Sequence, residues 1–420
     1  MIGTKDSLCA IVQDLVEKGK VRCRIFLHLF PLFLTLPRRV NFWQLAQYGS
    51  VNRDSYHNWF KQKLDLSAFN LALVDKHGSG EHFVIFDPCF LPKSGKRTPH
   101  LAYHWSGCSG RAEPGLEIGG FAIGDLGHAT AFHFTATLTP CPKKLKQEGK
   151  TLLDHYASLV KAQQGTLQQK GNLLVVDGYF GVYPFVKAVV DELGIDLISS
   201  LRVNAVLFYP PPKRMPHQKG RPAQKGNRIR WDELDCSQLP LLTCSLSQDQ
   251  NLSQEHNQPT QIRSGKVYVK ALKRWVLLVV VESEDGKGGK KRKLLFTTNL
   301  QADPSKVLAQ YRTRFQIEFL YRDAKQFTGL THCQSTDEGK LETHINLSLS
   351  TVNLAKVAHW LPIPKPERGS FSMAAIKAYY YKQWMVERVS TALGFDPNLI
   401  KNKPAIKQLL KQHIEHPLAA

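Results

Sequence analysis

The sequence predicts a mixed α/β fold: a mixed sheet with helices packed on it, interrupted by a β-rich insertion and flanked by helical regions at both ends. Three observations predict it. From Asp6 to about Asn70 apolar residues recur at helical spacing without strand-like alternation. From Leu71 onward the chain turns to short β-rich runs, and these give way to strand–helix–strand units, the pattern of a sheet covered by helices. From Pro304 the helical period returns. The 420 residues, 42% of them hydrophobic, suffice for at least one sizeable core and about two to three domains.

The first region opens with Leu8, Cys9, Ile11, Val12, Leu15 and Val16 on a helical pattern. Within it, Val40 to Phe60 reads as helix, turn, helix, with Phe42, Leu45 and Ala46 before a break at Gly49 and Tyr56, Trp59 and Phe60 after it. That is the outline of a DNA-binding helix-turn-helix, and equally of any two short helices joined at a glycine. Strands are expected at Leu71 to Asp75, His82 to Asp87, Leu116 to Gly124 and Ala129 to Leu138. A helix at Thr151 to Gln169, a strand at Asn172 to Asp177, a helix at Tyr183 to Leu193 and a strand at Ile195 to Leu201 follow.

Residues 205–300 read as the insertion. It starts with a Pro/Gly-rich tract, Pro210 to Arg230, that carries seven cations and no acid. Runs at Lys266 to Leu272, Trp275 to Glu282 and Leu294 to Thr298 are β-rich, and a second basic cluster spans Lys287 to Lys293. Asp303-Pro304 is a helix start, and one helix is expected from there to Phe327. Further helices are expected at Asn346 to Trp360 and Met373 to Leu393. The boundaries implied are 1–70, 71–204, 205–300, 301–355 and 356–420.

Lys and Arg number 56 against 35 Asp and Glu, a net charge of +21, which suits a polyanionic partner such as nucleic acid. The eight cysteines form no C-x-x-C pair, so no zinc knuckle or redox dithiol is indicated and reduced thiols are expected. The apolar run Ile25 to Leu36 contains His28 and Pro31 and falls short of the ~20 residues a membrane span needs, so a soluble, cytoplasmic protein is expected.

Phosphodiester chemistry at neutral pH is commonly performed by two divalent metals about 3.5–4 Å apart, held by carboxylates. Asp87 ends the apolar run His82-Phe-Val-Ile-Phe-Asp87, and Asp177 ends Leu173-Leu-Val-Val-Asp177. Either alone could be a capping aspartate; two so placed in a basic protein suggest a metal site. On an ideal helix Arg314, Glu318 and Lys325 project near about −60°, −20° and −40° relative to Tyr311, with Arg322 near about 20°. A carboxylate among cations on one stripe fits a metal ligand beside a phosphate backbone. It fits an exposed Arg314–Glu318 ion pair equally well. Lys93 and Lys96, in a glycine-containing turn after Asp87, could hold phosphate or simply be solvated. Asp125, Asp191, Asp196 and Asp323 are weaker candidates, Asp323 projecting about 120° from Tyr311.

These residues resemble a known family. Tyr311-x2-Arg314-x3-Glu318-x6-Lys325 is similar to the Y-R-E-K signature of the DDE transposases of insertion sequence family four. Asp87-Pro-Cys-Phe-Leu-Pro-Lys-Ser-Gly-Lys96 and Val176-Asp177-Gly-Tyr-Phe180 resemble its first two acidic motifs, and the resemblance runs from about residue 71 to 355. It implies a ribonuclease-H-like core with Asp87, Asp177 and Glu318 as catalytic triad and metal ligands for two Mg²⁺, for which Mn²⁺ would substitute. Tyr311, Arg314 and Lys325 would contact DNA, with Arg322 extending that face. Cut-and-paste cleavage at transposon ends and strand transfer into target double-stranded DNA are implied, by a homodimer in a synaptic complex. Trp275 and Trp231 are candidates for stacking a flipped base. A catalytically silent DNA-binding protein and another ribonuclease-H-like metal nuclease are the alternatives.

Overall fold

The computed structural model describes residues 5–16, 21–62, 64–106, 109–214, 219–230, 238–242, 261–284 and 290–411. Five helices come first: α1 (Lys5–Leu15), α2 (Val21–Thr35), α3 (Phe42–Tyr48), α4 (Arg53–Lys61) and α5 (Leu66–His77). Asn41, Asn52 and Asp65 cap the last three, each side chain accepting a backbone N–H of the first turn. The expected helix–turn–helix pair is therefore α3 and α4. Gly49 is the extended C-cap of α3, and only glycine fits there because a Cβ would lie 1.9 Å from the Tyr56 hydroxyl, which is hydrogen-bonded to His28 Nε2 at 2.6 Å.

The strand expected at Leu71 to Asp75 is not one: those residues lie in α5. The Asp65 cap starts the helix upstream, and Leu66, Phe69, Asn70, Leu73 and Val74 are its buried face, a helical spacing. The short apolar run alone could not tell strand from buried helix.

The sheet follows, formed by β1 (His82–Pro92), β2 (Ala102–Ser106), β3 (Arg111–Asp125), β4 (Thr130–Leu138), β5 (Leu173–Val175), β6 (Asp196–Leu201), β7 (Leu207–Phe208), β8 (Leu241–Leu242), β9 (Gln261–Val269), β10 (Arg274–Glu284) and β11 (Lys290–Thr297). Its centre runs β4-β3-β1-β5-β6: β1, β3 and β4 antiparallel, then β5 and β6 parallel to β1. This is a ribonuclease-H-like arrangement. The helix expected between the strands is two, α7 (Leu152–Ala162) and α8 (Gln164–Gln169), after a short α6 (Pro142–Gln147). The next, α9 (Tyr183–Val186), widens into a π-helical segment over Lys187–Glu192.

The β-rich insertion is present, but it is not a separate sheet. β11 pairs antiparallel with β6, Leu294 opposite Leu201, and β10 and β9 add outward, so insertion and core share one hydrogen-bonded sheet. Pattern and composition mark strands without naming their partners, which is why the join was invisible in the sequence.

After the sheet come α10 (Pro304–Arg314), α11 (Gln316–Asp323), α12 (Glu338–His359), α13 (Met373–Ala392), α14 (Pro397–Asn402) and α15 (Pro404–Lys411). Helix α12 closes the free edge of β4 with side chains. Asn346 accepts from Ala136 N–H and donates to Ala136 C=O, both at 2.8 Å. Asn353 does the same for His133, at 2.8 and 2.7 Å, and the Lys356 ammonium donates to Ala131 C=O at 2.9 Å. A carboxamide carries the donor and acceptor of a peptide group, so the two asparagines take the place of a neighbouring strand.

Candidate active site

The register of β1 and β5 brings two acids together. Ile85 pairs with Val175 in a parallel ladder that ends there. Asp87 and Asp177 each lie two residues further on, at the same level beyond the end of the β1–β5 ladder, and the charge of Asp177 bears on Asp87. Asp87 does not end its strand, as the sequence had suggested. β1 continues to Pro92 because β3 still pairs with it, Asp87 opposite Gly120 and Pro92 opposite Gly115. Pro88 and Pro92 are tolerated since β5 no longer needs their missing N–H groups.

Asp177 does end its run. It caps the 3₁₀ turn Gly178–Phe180, accepting from Tyr179 N–H at 2.9 Å, while its carbonyl accepts from the Ser199 hydroxyl at 2.5 Å. Glu318 comes from the helical region beyond. The single helix expected over Pro304 to Phe327 is interrupted at Phe315 and ends in a π-helical turn, Ala324–Thr328. Such turns re-aim side chains and recur at functional sites.

Arg314 stands between two of the acids. Its guanidinium lies 3.8 Å from Asp87 Oδ1 and 3.4 Å from Glu318 Oε1. Burial pushes the Asp87 carboxyl up to about 7; Arg314 opposes that shift, and the charges of Asp177 and Glu318 add to it. Burial also raises Glu318, again against Arg314 and with help from Asp177. The charges of Asp177 and Glu318 thus both bear on Asp87, and that of Asp177 bears on Glu318. Carboxylates that repel one another suit a hard divalent cation, which would relieve the repulsion. Among the described residues, however, no three His, Cys, Asp or Glu side chains are gathered closely enough to hold a metal ion. The guanidinium between Asp87 and Glu318 supplies positive charge there instead.

The remaining signature residues divide. Tyr311 is buried, with the Lys293 ammonium 4.7 Å and the Arg314 guanidinium 5.6 Å from its ring centre. The charge of Lys325, from the π turn, opposes the rise that burial gives the Cys89 thiol, two residues beyond Asp87 on the same face of β1. Arg322 turns away, stacked 4.8 Å from the Phe319 ring and paired with Asp323 at 2.9 Å. The other acids have structural partners: Asp125 binds Ser79 and His128, Asp191 pairs with Arg274, and Asp196 accepts from Thr298. Trp275 packs edge-on against Tyr268, and Trp231 lies outside the described residues.

The transposase DDE domain profile matches residues 140–354, just over half of the chain. The chain belongs to the transposase DDE domain family. Membership indicates a transposase with nuclease and transesterification activity. No curated protein matches the chain. Asp177 and Glu318 fall within the DDE domain match, as do Tyr311, Arg314, Arg322 and Lys325; Asp87 precedes it. Among the described residues no helix is long and apolar enough to cross a membrane.

Two residues of the candidate site escaped sequence reasoning. Lys293 was one cation in a basic run, and only the β11 register delivers it to Tyr311. Tyr321 is buried, and its hydroxyl donates to the Asp87 carbonyl at 2.7 Å. A lone tyrosine on a helix gives no signal of this; the pairing Gly120–Asp87 does, because a Cβ on Gly120 would lie 2.0 Å from that hydroxyl.

Proposed function

We propose that the chain is a cut-and-paste DNA transposase of the insertion sequence family four type, with Asp87, Asp177 and Glu318 as its catalytic acids and the Y-R-E-K signature at Tyr311, Arg314, Glu318 and Lys325. The observation that carries this reading is the shared level of Asp87 and Asp177 beyond the β1–β5 ladder, with Glu318 adding to their charge. The three carboxylates would hold two Mg²⁺, with Mn²⁺ able to substitute. Bound there, the ions would activate the attacking hydroxyl and stabilise the leaving oxygen of a phosphodiester.

The protein's own groups position the DNA. The Nε–H of Arg314 is buried without a hydrogen-bond partner, a donor available to a phosphate oxygen once the guanidinium swings off the carboxylates. Lys325 and Lys293 add charge, Tyr311 holds Lys293 and Arg314 through its ring, and Arg322, exposed but paired with Asp323, would have to leave that partner to extend the face. Residues 1–70 would serve as a DNA-binding region, 71–204 and 301–355 as the catalytic core, 205–300 as the insertion and 356–420 as a helical end. A homodimer would bring two transposon ends together on double-stranded DNA.

The test is Mg²⁺-dependent cleavage of a plasmid carrying the gene with its native flanks. Cuts at both flanking boundaries that disappear with Glu318→Gln are expected. Salt-sensitive binding to those flanks with no cuts in the parent protein would point to a catalytically silent DNA-binding protein instead.

A further inference from the structure

Beyond Pro92, β1 leads into a cavity of about 1080 Å³ that plays no part in the site described above. Its wall carries Arg39, Lys93, Lys96, Arg97, Arg111 and His332, and Glu113 is the acid among the lining residues. Arg111 pairs with Glu113 at 3.2 Å. Among the described residues Arg39, Lys93, Lys96 and Arg97 form no ion pair. Their field is felt locally: burial and the charges of Lys377, Arg39 and Lys93 together hold the His332 ring below its usual range. His332 Nδ1 accepts from Val40 N–H at 3.1 Å, so the neutral ring carries its proton on Nε2 as a donor. A cleft with this many donors and so little negative charge suits an anion with several oxygens.

A second, independent feature adjoins it. Tyr103 and Trp105, on the edge strand β2, are 76% and 70% exposed, the most exposed aromatic side chains among the described residues. They stand opposite Pro114 and Ala112 of β3, both of which line the cleft. Residues facing each other across an antiparallel pair share a face, and alternate residues along a strand share it too. Through Gly120, Ile118, Leu116, Pro114 and Ala112 the aromatic pair therefore lies on the same face as Asp87. Asp87 and the level of Tyr103 are six strand residues apart, about 20 Å at 3.4 Å per residue, the length of about six stacked nucleotides.

We propose that this cleft and the Tyr103–Trp105 pair form a single-stranded DNA site, with the phosphodiester backbone on Lys93, Lys96 and Arg97 and unpaired bases stacked on the two rings. The proposal rests on the reading that the active site works on DNA, and extends it to a strand about six nucleotides from the reacting phosphate. Aromatic platforms beside a basic groove hold single strands without reading their sequence, because every base offers a flat face. Cations alone would hold duplex equally well; the exposed rings favour the single strand.

The test uses the full chain, a 5′-labelled oligo(dT) and a blunt duplex of arbitrary sequence, titrated over a range of salt. Tyr103→Ala/Trp105→Ala is expected to weaken oligo(dT) binding at least tenfold and to change duplex binding by less than threefold. Lys96→Gln/Arg97→Gln is expected to lower the slope of log K against log salt for oligo(dT) by about 1.4. Both pairs are at the surface, and unchanged melting temperatures would verify folding. Oligo(dT) binding by either variant with the parent's affinity and salt slope overturns the proposal. So does a change in sedimentation behaviour on removing the rings without loss of oligo(dT) binding, which would make the pair a contact between two copies of the chain. Failure of plasmid cleavage in the parent, with ring-dependent oligo(dT) binding intact, would overturn the catalytic reading and not this one.

Discussion

The Tyr321 hydroxyl donates to the main-chain carbonyl of Asp87 at 2.7 Å, tying α11 to β1 at the first of the three acids. The contact crosses Gly120 of β3, where no side chain stands in the way. Glu318, three residues before Tyr321 on the same helix, is carried to the strand ends by this attachment.

Tyr321→Phe should leave the Asp87 carbonyl without its donor in a buried position and cost about 1–2 kcal/mol of stability. Gly120→Ala should cost more, since the methyl would drive the tyrosine and its helix outward. Urea unfolding measures the first effect. The second should also slow plasmid cleavage at least tenfold, and a Gly120→Ala protein that cleaves at the parent rate would show that α11 is not held in place from here.

Arg314→Gln removes the positive charge between Asp87 and Glu318 and leaves two carboxylates facing Asp177. Divalent cations should then bind the free protein more tightly. Thermal melting with and without millimolar Mg²⁺ reports this directly: the variant's melting temperature should rise more than the parent's. An equal rise in both proteins would mean that Arg314 does not compete with cations for this site.

Asn353→Leu should destabilise the protein by about 3 kcal/mol, because the His133 N–H and C=O and the Asn70 carboxamide lose their partners inside the core. It also uncovers the edge of β4, so the variant should aggregate during refolding. Asn353→Gln, with the same amide one carbon further out, should recover only part of the loss. Denaturation midpoints of the three proteins decide it.

Asp125 supplies the pH dependence. Burial by itself would raise its carboxyl; the His82 ring 3.4 Å away and hydrogen bonds from Ser79 and His128 outweigh burial and hold it at about 2, below the usual carboxylate range. A carboxylate depressed in the folded state contributes stability that is complete above its unfolded pKa and is lost as pH falls through the folded one. The contribution, about 2 kcal/mol, should therefore fade between about pH 4 and pH 2. Asp125→Asn should be less stable at pH 7 and should unfold with a flatter acid limb, as a series of urea midpoints across that range would show.

Much of the fold was written in the sequence. A β-rich run marked β4, an apolar run marked β5, Asp303-Pro304 marked the start of α10, and the acid closing each run marked Asp87 and Asp177. Such signals are local: hydrophobic period, capping residues and spacing act over a few residues, so they survive in one dimension. The α5 segment was misread for the same reason, since the four apolar residues Leu71 to Val74 carry too little period to separate strand from buried helix.

What the sequence by itself determined is the set of elements and the types of residue offered at their ends. Only the tertiary structure decided who meets whom. The Ile85–Val175 register levels two acids about 90 residues apart, Arg314 settles between Asp87 and Glu318, and β11 joins the insertion to the core. Asn346 and Asn353 stand in for a strand. Each of these depends on a pairing between distant segments, whose free energy comes from contacts the chain makes only once folded, so no local pattern encodes it.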